Sequence, residues 1–137
     1  KAHKKARLAV NPQLCLSVSF EAGLARQAIA NHFSEEVNFD AVFASSDLLA
    51  VTAISALNEL GIRVPEDITV VGYDDIDMAQ HYRPSLTTIR QPLELAGPEI
   101  LSALERQIRG ERVASSLLPT RLEVRESSSP ADDHYAR

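Results

Sequence analysis

Two adjacent carboxylates, Asp74 and Asp75, close the segment ITVVGYDD at residues 68–75. The run at 68–71 is broken only by Thr69 and is rich in β-branched residues. That pattern suits a strand covered on both faces, as in parallel sheets. The strand is expected to end at Gly72, where the backbone can turn or be approached closely. In open α/β sheets the carboxyl end of such a strand, beside a topological switch point, is where ligands bind. An ionised carboxylate accepts hydrogen bonds from neighbouring hydroxyls or amines, so Asp74 is suited to holding a small polar ligand. Residue type alone leaves two other uses of Asp74 open: capping a nearby helix, or pairing with Arg90.

Catalysis is not expected from this pair. Consecutive residues in an extended chain point to opposite faces, whereas an acid–base dyad needs two carboxyls aimed at one point. The sequence contains no GxSxG elbow, Walker loop, GxGxxG, HxxxH pair or CxxC pair. Its histidines, at positions 3, 32, 81 and 134, are scattered, and His32 fits the edge of an apolar helix face. Cys15 is the only cysteine, which rules out an internal disulfide and fits a reducing compartment. It is read as a plain buried small residue. Neither a metal nor a cofactor is expected.

The 137 residues suit one domain, and 45% apolar with 24% charged residues is the balance of a globular chain. No apolar run approaches the ~20 residues of a membrane span, and no signal-peptide pattern opens the sequence. A net charge of -5 argues against this chain gripping nucleic acid by itself. The basic opening KAHKKAR reads as the solvated end of a helix that starts without a cap, as if cut mid-element, rather than as a nucleic-acid arm.

The elements that position Asp74 follow from periodicity. Asn11-Pro12 signals a turn, and LCLSV at 14–18 reads as a first strand. Residues 20–34 form an amphipathic helix with Ala22, Ala25, Ile29 and Phe33 on one side and Arg26, Gln27, Asn31 and Ser34 opposite. AVFA at 41–44 is a second strand. Ser45, Ser46 and Asp47, all N-cap types, open a helix that runs to about Leu60 and is closed by Gly61. Residues 76–82 suit a short helix or turn, and 86–90 a further extended piece. Residues 93–109 are helical in period, with Ala96, Ile100, Leu101, Leu104 and Ile108 aligned. Gly97-Pro98 predicts a kink there or a start at Pro98, and Gly110 a stop. Residues 117–126 look extended, and the polar tail 127–137 is expected to be disordered. Strands alternating with helices give right-handed crossovers and an α/β fold, a parallel sheet flanked by helices.

The helix from Asp47 carries more apolar surface than one core face requires. Leu48 and Val51 project from its other half, beside the small polar Thr52 and Ser55. A side facing water would carry Lys and Glu, so this face is read as contact with a second chain.

The blocks FASSDLLAVTAISALNELGIRVPEDITVVGYDD, RPSLTTIRQPLELAG and LLPTRLEVRES together resemble the effector-binding region of the lactose-repressor/galactose-repressor family of bacterial transcription regulators, over about residues 1–127. The resemblance implies the fold of periplasmic sugar-binding proteins, two α/β lobes joined by three crossovers with a small effector in the cleft. Residues 1–90 and 116–126 would form the second lobe. Residues 91–115 would be a crossover and a helix packing on a first lobe that this chain lacks, making the chain a fragment.

The same resemblance implies effector contacts at Asp74, at Ser46 (often Asn in the family) and at Gln91. Val18 stands where many members place an aromatic wall, so a stacked sugar or purine would lose that surface. Leu48, Val51, Thr52, Ser55 and Tyr82 match the homodimer surface. The implied protein is a cytoplasmic repressor whose sugar- or nucleoside-like effector closes the cleft. Operator DNA would be held only through a helix-turn-helix headpiece absent from these residues. The rival on the same fold is a periplasmic solute-binding protein of a sugar transporter. An enzyme or phosphate-accepting receiver domain would need converging acids near a Lys, which the sequence does not offer.

Overall fold

The computed structural model describes residues 5–9, 11–18, 22–34 and 39–129. Its centre is a four-stranded sheet in the order β1-β2-β3-β4. Strand β1 (Ala41–Phe43) lies parallel to β2 (Thr69–Asp74), which lies parallel to β3 (Thr87–Arg90). Strand β4 (Arg121–Glu123) closes the far edge antiparallel to β3. Helix α1 (Ala22–Ser34) precedes β1, and α2 (Asp47–Glu59) joins β1 to β2. A short α3 (Asp77–His81) joins β2 to β3, and α4 (Leu93–Ile108) separates β3 from β4.

Helix α2 is the main packing element. Ser46 caps it, accepting the Leu49 N–H at 3.3 Å, as its residue type predicts. At its other end Gly61 takes φ +76°, and the Ile62 N–H reaches back to the Leu57 carbonyl at 3.0 Å, the left-handed stop expected of glycine. Ile54, Leu57, Val70 and Leu86 are fully buried where α2 meets the sheet. Each contributes about 1.5–3 kcal/mol from burial. The small residues Ala25, Ala53 and Ala56 let α1 and α2 approach closely, with Ile29 and Leu49 filling the seam.

Several expectations are corrected. Residues 14–18 form no strand: Pro12–Leu14 is a 3-10 turn capped by the Asn11 side chain. A strand exists only with a ladder partner, and the sheet edge beside β1 is unpaired among the described residues. Cys15 is exposed rather than buried. β2 does not stop at Gly72 but runs on to Asp74, and one of its faces is only half covered. Helix α4 starts at Leu93, as its period predicts, and of the two alternatives the late start at Pro98 is ruled out, since Pro98 sits inside the helix. Order also continues past residue 126: Glu126–Ser128 is a 3-10 turn and Ser127 is fully buried. The Ser127 hydroxyl donates to the Val70 carbonyl at 2.6 Å and accepts the Thr87 N–H at 2.9 Å, bridging β2 and β3. Residues 130–137, and residues 1–4 of the basic opening, lie outside the described residues.

Candidate functional site

Parallel pairing aligns the carboxyl ends of β2 and β3, with Asp74 opposite Arg90. Gln91, the next residue, therefore reaches Asp74, and its Nε2 donates to Asp74 Oδ1 at 2.7 Å. A carboxylate only accepts, so this bond fixes the amide with its nitrogen inward and its oxygen outward. Asp74 is half-buried, and its second oxygen has no hydrogen-bond partner among the described residues. Neither alternative use of Asp74 is realised: it caps no helix, and Arg90 lies instead 3.8 Å from Asp75.

The turn after β2 is made by the two aspartates rather than by Gly72. Asp74 has φ +126° and Asp75 φ +57°, a region that aspartate visits more readily than most side chains. The two carboxyls part company, though the backbone there turns and is not the extended chain expected. Asp75, only 10% exposed, binds the Arg125 guanidinium at 2.6 Å. Arg125 also donates to the Leu86 carbonyl at 2.7 Å, which ties the turn to the residues leading into β3. Among the described residues, no cluster of His, Cys, Asp and Glu could hold a metal ion.

Other expected site residues lie further off. Ser46 stands at the N-terminus of α2, buried, with its hydroxyl engaged in capping. Val18 packs, half-buried, against the Ala25–Ile29–Leu49 cluster of its own lobe. A surface cavity of about 380 Å³ opens next to the strand ends, lined by Arg90, Pro92, Glu94, Leu95, Pro119 and Arg121. None of Asp74, Ser46, Gln91 and Val18 lines it. On the outer face of α2, Leu48 is 44% exposed, while Val51, Thr52 and Ser55 are half-buried. The Thr52 hydroxyl bonds back to the Leu48 carbonyl at 2.8 Å, so its polar atom is already spoken for. Val51 and Tyr82 also pack partly on the core.

Sequence reasoning missed Asp47 and Thr88. Asp47 was noticed only as one of three N-cap types, yet it is fully buried behind the aspartate turn. Its Oδ2 accepts the Ile76 N–H at 2.9 Å and its Oδ1 accepts the Thr88 hydroxyl. No local spacing signals contacts that span 29 and 41 residues.

Parallel strands that end in polar side chains beside a helix N-terminus are the arrangement at which open α/β sheets bind ligands. Residues 3–128 match the family described as periplasmic binding protein-like domain. The HTH-type transcriptional repressor PurR of Aliivibrio fischeri (strain MJ11) is 38% identical over 111 residues, 80% of this chain and 33% of that protein. A solved complex of the transcriptional regulator CelR with cellobiose is similar at TM-score 0.81 and 37% identity, over 93% of this chain and 39% of that one. The dimeric Lac repressor with an 11-residue C-terminal deletion gives TM-score 0.70 and 34% identity, over 78% and 40%. The chain belongs to the periplasmic binding protein-like domain family, and the relatives it resembles are transcription regulators that include the Lac repressor. It spans about a third of the PurR relative's length. These relatives are regulators rather than enzymes or transport proteins, so the transporter reading is not favoured. Among the described residues no helix is long and apolar enough to cross a membrane.

Proposed function

We infer that this chain is the effector-binding and dimerisation portion of a DNA-binding transcriptional repressor, and that its effector is a small polyhydroxylated molecule. The observation that carries the reading is the Asp74–Gln91 bond at adjoining strand ends. It leaves the second carboxylate oxygen of Asp74 and the amide oxygen of Gln91 as acceptors at the two strand ends. Vicinal hydroxyls of a sugar, or of the ribose of a nucleoside, are the natural donors to such a pair. The cellobiose held by the CelR relative favours the sugar. Ser46, whose hydroxyl caps α2, would reach the effector only by giving up that bond, and Val18 would offer apolar bulk without a stacking ring.

Leu48, Val51, Thr52, Ser55 and Tyr82 form the dimer surface in this reading, which the dimeric Lac repressor supports. No residue of α4 is buried, and Ile100, Leu101, Leu104 and Ile108 are exposed. That face belongs against a first lobe built by residues outside this chain, across the cleft from Asp74. Operator contact belongs to a separate headpiece, since this chain carries net charge -5.

The test is a thermal-shift and calorimetric panel of cellobiose, monosaccharides and nucleosides on the intact protein. At a hundredfold excess over Kd a true effector stabilises by about 2.7 kcal/mol. Asp74→Asn is expected to abolish that response with the ligand-free melt unchanged. Undiminished affinity in the variant removes Asp74 from the site.

A further inference from the structure

The Asp47 carboxylate is fully buried, and every contact it makes bears on the turn that carries Asp74. Oδ2 holds the Ile76 N–H at 2.9 Å, the first amide after the two left-handed aspartates. Oδ1 takes the Thr88 hydroxyl, and the same Thr88 oxygen in turn accepts the Asp75 N–H at 3.4 Å. The proton order is therefore fixed, from Asp75 to Thr88 to Asp47. Gly72 completes the arrangement: a Cβ there would collide with Asp47 Oδ1, so the strand lacks a side chain where the carboxylate sits. Asp47 is also the first residue of α2, immediately after Ser46 and before Leu48. A carboxylate is favoured at that end of a helix.

We propose that Asp47 is a positioning residue: it locks residues 74–76 in the conformation that presents Asp74 and ties that turn rigidly to the first turn of α2. A side chain that merely filled core volume would have no need of two polar partners that both bear on one turn. The link from turn to dimer helix rests on the effector-site reading given above; the locking of the turn does not.

The experiment is amide hydrogen exchange on the intact protein, wild type against Asp47→Asn. The asparagine keeps shape but has one acceptor oxygen where the aspartate has two. It is expected to speed exchange at Ile76 by roughly tenfold or more, the loss of a charge-assisted bond, while amides that open locally away from the turn, such as Leu101 in the exposed helix α4, stay within about twofold. Gly72→Ala, which drives a methyl into Asp47 Oδ1 without removing any polar group, is expected to reproduce the effect at Ile76. Thr88→Val is the second route should Asp47→Asn fold poorly, and it is expected to loosen Asp75 and Ile76 together. Unchanged exchange at Ile76, or an equal rise at Ile76 and Leu101, overturns the proposal.

With cellobiose as probe, Asp47→Asn is expected to weaken binding about tenfold even though Asp47 faces away from solvent. Full affinity retained in Asp47→Asn overturns the role in presenting Asp74. A wild-type protein that ignores cellobiose counts against the sugar reading alone, and the exchange comparison then decides for or against the locking.

Discussion

Replacing Gly72 by alanine is a small change with a large expected cost. The added methyl would overlap Asp47 Oδ1 and stand 2.9 Å from Leu86 Cδ2 and 3.2 Å from Ala50 Cβ. All three neighbours are fully buried, so none can swing into solvent to make room. Overpacking of this kind costs about 1–3 kcal/mol. Pushing the carboxylate aside strands the Ile76 N–H and the Thr88 hydroxyl, adding roughly 1.5–3 kcal/mol. Alanine's narrower unfolded ensemble returns at most about 1 kcal/mol, which leaves a net loss of about 2–5 kcal/mol. Set against a typical total of 5–15 kcal/mol, that is a serious fraction. The assay is urea unfolding followed by circular dichroism on the intact protein. With a slope of roughly 1–3 kcal/mol per molar urea, the midpoint is expected to fall by about 1 M or more with the slope unchanged. A midpoint within about 0.3 M of wild type would refute the close packing of β2 under α2.

Leu48→Asp introduces a charge on the outer face of α2 while sparing the core, unlike Val51, and is expected to convert a dimer of the intact protein to monomer. Equilibrium sedimentation that shows unaltered mass would clear that face of any role in assembly. Arg125→Met removes the guanidinium at 2.6 Å from Asp75, leaving that 10% exposed carboxylate only Arg90 at 3.8 Å. The expected loss is about 3 kcal/mol in urea unfolding, and a loss below about 1 kcal/mol would mean that Arg90 suffices. The Asp67 carboxyl sits at about 2, below its ordinary 3.8, held down by the Arg63 side chain and then by the Arg63 backbone N–H. A carboxyl depressed on folding contributes fully above 3.8, and that contribution is lost as the pH falls through about 2. Asp67→Asn is thus expected to flatten the acid limb of the stability curve between those values, and an unchanged limb would contradict the pairing.

What could be read directly from residues was local. The α2 helix follows from its cap, its period and Gly61, and the apolar run of β2 is unmistakable. The strand expected at 14–18 shows the limit of that reasoning. LCLSV has strand propensity, but a strand is a property of two neighbours, and these residues do not pair with the sheet. The tail expected from 127 misled for a related reason. A serine-rich stretch looks solvated until one hydroxyl is placed between two strands. At the candidate site, residue type alone left Asp74 undecided, and only the family likeness pointed to Gln91. The bond between them is a consequence of parallel register, which no single segment encodes. Asp47 was hidden because its type fits a helix cap equally well, and its true partners lie in other strands.

The seam closed by Ser127 has a consequence for how this chain is made. Val70 and Ser127 are 57 residues apart, so a ribosome adding roughly 5–20 residues per second delivers the serine about 3–11 s after the valine. For those seconds the nascent β2 and β3 can lie side by side, but the Val70 carbonyl and Thr87 amide at their opening have nothing to hold them. The sheet is assembled from its middle and fastened last, by a residue almost at the end of the described chain.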